Sequence, residues 1–258
     1  MKEIKDIIKK ILRMVGLYKI WIEVFSFFTT DPRKERERMD DILKIYSKFV
    51  KKGDVCFDIG ANMGIITELL LKLEVKVVCV EPQKDCLIIL KKKFGDNENV
   101  FIVDKAVGEK EGEAEIAICE DAPTISTMSD KWKEAGRFST NYEWNKTQKV
   151  EMITLDKLIE QYGMPSFCKI DVEGFEVSAL KGLTKAIPFI SFEFTKEFFE
   201  DAKTCINHIS SIGRAKFNCT FCESEKLLFP NWVPSEELIS KLENDNNSSM
   251  AGDIYVSF

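Results

Sequence analysis

The sequence predicts an α/β protein of the Rossmann-like, doubly wound kind. Short continuous Val/Ile/Phe runs alternate with helical stretches from about residue 50 onward, the pattern of a parallel sheet covered on both faces. The first run, "GDVCFDIGANMG" over residues 53–64, passes from a strand into a glycine-rich turn, and open α/β sheets bind their ligands at such turns. A chain of 258 residues accommodates one such domain with an appendage.

In chain order, residues 2–15 place Ile4, Ile7, Ile8, Ile11, Leu12 and Val15 on one helical face, with Lys5, Asp6, Lys9, Lys10 and Arg13 elsewhere. The following "GLYKIWIEVFSFF" contains Lys19 and Glu23 and is too short to cross a bilayer, which needs about 20 apolar residues. No small-residue cleavage site follows it, so it does not read as a signal peptide. This helical N-terminal extension, residues 1–50, reads first as a cap on the main domain. The second reading is a peripheral membrane contact through residues 1–30, with Trp21, Phe25, Phe27 and Phe28 in the interface. A further helix starts at Asp31 and Pro32, a cap and first-turn pair, and is expected to run to Gly53.

Residues 51–258 form the main domain. Its strands are read at "VCFDIG", "KVVCVEP", "NVFIVDKAV", "FCKIDVEG" and "FISFEF". Residues 108–150 break the rhythm with a short strand or hairpin and a polar, aromatic-containing stretch, a candidate acceptor-binding insertion because loops carry specificity on such scaffolds. "KFNCTFC", "KLLFP" and "DIYVSF" read as closing strands around a helix at "SEELISKLE", and strands returning without long crossovers suggest an antiparallel edge.

Composition narrows the partners. A net charge of −6 gives no global reason to bind nucleic acid. Eight cysteines without a secretory signal indicate a reducing, cytoplasmic location. Cys219 and Cys222 make one CxxC, but no second pair or spaced histidine completes a zinc site, and no metal is expected.

The turn itself discriminates between ligands. It lacks the GK[ST] ending of a triphosphate loop, and Asn62 stands where a dinucleotide fingerprint wants its middle glycine. That counts against an NAD(P)-dependent oxidoreductase without removing it. Asp58 would repel a pyrophosphate and attract a positive centre, while Glu81, ending the second strand, offers two oxygens to a ribose diol. S-adenosyl-L-methionine has a ribose, a positive sulfonium and no phosphate.

"FDIGANMG", "VEP", "VDKAVG", "VEMITLDKLI" and "KIDVEGFEVSALKG", in this order over residues 53–195, resemble the FkbM-type S-adenosylmethionine-dependent methyltransferases. The resemblance implies a class I methyltransferase fold: a mostly parallel seven-stranded sheet with an antiparallel edge hairpin. It implies Asp58, Gly60, Asn62 and Gly64 around the methionine part of the cofactor, Glu81 on its ribose, and Asp104, Lys105 and Ala106 flanking its adenine. Gly60 and Gly64 also have the simpler reading of residues that make the turn, and Asp104 that of a turn cap.

Methyl transfer to a hydroxyl gains from a general base, typically about 10²- to 10⁴-fold. Asp171, Glu173 and Glu193 stand at the carboxyl ends of two strands, with Asp171 the first choice of base and Lys169 a partner for an acid or a substrate contact. Glu173 has a second reading as the cap of a helix starting near Gly174. Three neighbouring carboxylates also suit a divalent cation, though carboxylates alone specify neither metal nor geometry. His208, without an acid nearby in sequence, reads as an ordinary side chain. The expected activity is O-methylation of a glycan, a lipid-linked sugar or a natural-product hydroxyl; a non-catalytic S-adenosylmethionine-binding subunit would keep the same cofactor residues.

Overall fold

The computed structural model describes residues 32–222 and 226–258. The helical pair expected over residues 2–28, and the membrane contact read through residues 1–30, lie outside the described residues. Two compact units divide the chain, residues 1–44 and 45–258. The first described helix, α1 (Pro32–Tyr46), ends seven residues before Gly53. Residues 47–53 turn instead: the N–H groups of Lys48 and Phe49 donate to the carbonyls of Ile45 and Tyr46, and Gly53 takes φ 86°. Among the described residues no helix is long and apolar enough to cross a membrane.

The second unit is built on β1 (Val55–Ile59), β2 (Lys76–Val80), β3 (Val100–Val103), β4 (Ala106–Val107), β5 (Gly112–Ile118), β6 (Lys146–Ile153), β7 (Phe167–Ile170), β8 (Phe189–Thr195), β9 (Lys216–Phe221) and β10 (Ala251–Ser257). Seven of them form one sheet in the order β3-β2-β1-β7-β8-β10-β9. The pairs from β3 to β8 are parallel, and β10 runs antiparallel to both β8 and β9. The expected mostly parallel seven-stranded sheet with an antiparallel edge is therefore present. β7 is buried throughout, and β1 and β2 are buried beyond their first residues, as strands covered on both faces must be.

The connecting helices are α2 (Ile65–Leu71), α3 (Lys84–Phe94), α5 (Leu155–Tyr162), α6 (Glu176–Lys181), α7 (Phe199–Ile212) and α8 (Ser235–Glu243), with α4 (Asp130–Ala135) inside the insertion. Local chemistry sets several ends. The Thr154 hydroxyl accepts from the Lys157 N–H to cap α5, and Gly163, at φ 88°, closes it. Phe57, Ile59, Cys168, Ile170, Phe192 and Ile254 belong to one core together with Leu155, Leu180, Ile206 and Leu238 from the helices.

Two local expectations change. "KLLFP" is not a strand; the Asn218 amide instead accepts from the Phe229 N–H and donates to the Phe229 carbonyl, pinning a loop against β9. The insertion goes beyond the expected short strand or hairpin: β5 pairs antiparallel with β6, and β4, β6 and β5 form a separate three-stranded sheet. In the main sheet β1 lies between β2 and β7, and this is where the strand order reverses.

Candidate active site

The turn after β1 is fixed by backbone bonds from Gly60 and Ala61 to the Val80 carbonyl, at 2.9 and 3.1 Å. Gly60, Asn62 and Gly64 all have positive φ, at 81°, 49° and 82°. Gly64 also faces a steric limit, since a Cβ there would lie 2.5 Å from a Phe94 ring carbon. Here glycine provides both the left-handed backbone and the space.

Glu81, 2% exposed, joins this turn to the next strand's loop. Its Oε2 accepts the Asn62 N–H and its Oε1 the Gln83 N–H, each at 2.8 Å. Burial pushes its pKa up to about 7, against the pull of those two bonds. Each oxygen retains a lone pair, so the carboxylate has the acceptors a ribose diol needs. The side-chain amides of Asn62 and Gln83 both donate to the Pro123 carbonyl, at 3.4 and 3.3 Å, which brings the insertion against this corner. Asn62 Oδ1 is buried without a hydrogen-bond partner, a further acceptor beside Glu81.

Asp58 lies near the end of β1. Only 1% exposed, its Oδ2 accepts from the Thr67 hydroxyl of α2 at 2.6 Å. Burial raises its pKa to about 6. Its direct contact is with the helix after the turn. Further along, Lys105 pairs with Glu151 at 2.6 Å, Asp104 is exposed, and Ala106 is buried in β4 opposite Met152.

At the ends of β7 and β8, Asp171, Glu173 and Glu193 bring carboxylate oxygens within 4.8 Å of one another, a group spaced to hold a cation. Lys169, with a side chain 4% exposed, reaches Asp253 of β10 at 2.8 Å and Asp171 at 3.3 Å. Burial works against its charge, but Asp171 and Asp253 outweigh it and push the ammonium pKa well up. Burial first, and then neighbouring negative charge, push Glu173 and Glu193 well above the usual carboxylate range. Glu173 holds φ 53°. It does not cap α6: that helix starts at Glu176, whose Oε1 accepts from the N–H groups of Val172 and Gly174. His208 instead donates its Nε2–H to the Leu183 carbonyl at 3.0 Å.

A sequence signature for this arrangement covers most of the chain: the model of the methyltransferase FkbM domain matches residues 58–219. The chain belongs to the FkbM methyltransferase family. A curated relative, the hexuronic acid methyltransferase AglP of Haloferax volcanii, is 23% identical over 154 residues, 59% of each chain. The FkbM chain thus spans about three fifths of that relative's length. Among solved structures, a TehB-like S-adenosylmethionine-dependent methyltransferase from Corynebacterium glutamicum is similar at TM-score 0.45 and 10% identity, covering 93% of this chain and 96% of that one. A precorrin-6Y C5,15-methyltransferase from Geobacter metallireducens gives TM-score 0.44 and 10% identity, over 84% and 86%. S-adenosylmethionine is the cofactor of the FkbM family.

Sequence reading missed several site residues. Asp253 is a lone acid in an apolar closing strand, and that isolation was its one signal. Gln83, Pro123 and Glu176 act through backbone or loop contacts that no spacing rule announces.

Proposed function

We propose that this protein transfers a methyl group from S-adenosylmethionine to a hydroxyl of a sugar-like acceptor. The observation that carries the reading is the meeting of two loops: the turn that ends at Glu81's partners touches the loop that bears Asp171, so cofactor corner and acid cluster share one edge of the sheet. The name of the curated relative supports a sugar acceptor.

S-adenosylmethionine supplies an activated methyl carbon when bound. The chain's residues hold, orient and deprotonate. Glu81 and Asn62 fix the ribose. Asp58, through Thr67, anchors the start of α2 and with it the turn. Asp104 and Lys105, just after β3, and Ala106, which opens β4, would flank the adenine. The acceptor hydroxyl lies against the cluster, and Asp171 takes its proton as the new oxygen–carbon bond forms and the carbon–sulfur bond breaks. Lys169 orients Asp171, while Glu173 and Glu193 hold the acceptor.

In this reading residues 51–258 are the catalytic domain and residues 108–150 shape the acceptor side; the location is cytoplasmic. Calorimetry with S-adenosylmethionine and NAD tests the cofactor, and a labelled-methyl screen over neutral glycans, lipid-linked sugars and small polyols tests the acceptor class. Tight NAD binding, or no sulfonium binding, would sink the proposal. Cofactor binding without turnover on any acceptor would favour a non-catalytic subunit.

A further inference from the structure

Beside the acid cluster lies a cavity of about 20 Å³, lined among others by Trp132, Gly174, Glu176, Glu193, Thr195 and Phe198. That is room for one water-sized group. Two of its walls carry polar atoms left without hydrogen bonds: Trp132 Nε1 and Thr195 Oγ1, on residues 2% and 4% exposed. Buried polar groups almost always have partners, so each of these needs one.

Trp132 reaches this place from the insertion. The Ser129 hydroxyl accepts its backbone N–H, and its ring packs so closely on Gly174 that a Cβ there would lie 3.0 Å from Cε3. The Phe198 ring, 5.7 Å away, closes another side. Glu193 and Thr195, two apart on β8, share one face of the strand.

We propose that this cavity receives a hydroxyl group of the methyl acceptor, making Trp132 and Thr195 specificity-determining residues. The inference rests on the methyltransferase reading above. The donor and acceptor inventory selects the group. The indole N–H can only donate, so an ammonium, which also only donates, leaves it unsatisfied. A carboxylate can only accept and would lie against Glu193 and Glu176. Asp201, also in the wall, adds a third acid and is paired with Lys131. A hydroxyl accepts from Trp132, exchanges with Thr195 and donates to a glutamate, whichever glutamate carries a proton. The acceptor's reacting end is then a neutral polyol, in contrast to a uronate carboxylate.

The test follows the Trp132 indole N–H resonance, assigned with Trp132→Phe, in protein loaded with S-adenosylhomocysteine. The probes are methyl glucoside, methyl glucuronide and glucosamine. Methyl glucoside is expected to shift the resonance saturably, with the charged sugars at least about tenfold weaker. Thr195→Val should weaken the glucoside about tenfold, one hydrogen bond's worth, and Thr195→Ser should restore it. Absence of a saturable glucoside shift, equal or tighter binding of either charged sugar, or an unchanged Thr195→Val would overturn the proposal. Calorimetry on the same samples separates the two readings: cofactor binding with no glucoside response removes the pocket alone, whereas no cofactor binding removes both.

Discussion

A Cβ placed on Gly60 would lie 1.8 Å from the Asp171 carbonyl oxygen, so the turn after β1 and the loop after β7 touch backbone to backbone. This contact ties the glycine turn and its Glu81 partner to the acid cluster. Gly60→Ala adds a left-handed alanine at φ 81° to that overlap and is expected to destabilise the fold by about 2–4 kcal/mol, read by urea unfolding. If the variant unfolds like the parent, the two loops are not in contact.

Lys169 is the buried counter-charge of two acids. Removing one partner of a fully buried pair costs about 3–5 kcal/mol; here Asp171 and Asp253 keep side-chain exposures of 41% and 23%, so the loss is expected nearer about 1–3 kcal/mol. Lys169→Met should show a loss of that order. Adding Asp253→Asn should recover part of it, whereas strictly additive losses in the double mutant would argue against coupling.

Glu81 should matter both to the cofactor and to the turn, since each of its oxygens accepts a backbone N–H. Glu81→Gln turns two acceptor oxygens into one acceptor and one donor. S-adenosylmethionine affinity is expected to fall about 10- to 100-fold, the worth of hydrogen bonds to a charged group. Calorimetry giving an unchanged Kd would remove Glu81 from the ribose site.

Stability should fall as pH rises. Glu81 and Glu176 are pushed up to about 7 and Asp58 to about 6, from ordinary values of 4.5 and 3.8. The folded state therefore binds more protons than the unfolded chain, and stability present below about pH 4 from these groups is lost between there and about pH 7. Their contribution should lower the Tm from pH 5.5 to pH 8 in scanning calorimetry. A Tm that rises over that interval would show the three acids to be less buried than found.

Turnover should depend on the acid that takes the proton. Asp171→Asn is expected to lower the methyl-transfer rate about 10²- to 10⁴-fold with cofactor binding retained. Full turnover in that variant would pass the role to Glu173 or Glu193.

The sequence by itself determined the fold class, the glycine turn and the strand-end acids. Those features depend on local rules: continuous apolar runs make buried parallel strands, and positive φ favours glycine at Gly60 and Gly64. The tertiary structure decided what each acid faces. Asp58 and Lys169 are register partners on neighbouring strands, yet Asp58 turns to Thr67 and Lys169 to Asp253, which lies 84 residues further along the chain. The Trp132 and Thr195 cavity likewise joins the insertion to β8. Periodicity sets which way a side chain points along its own strand or helix; what it meets depends on strand order and on how loops pack, and those are settled only when the whole core closes.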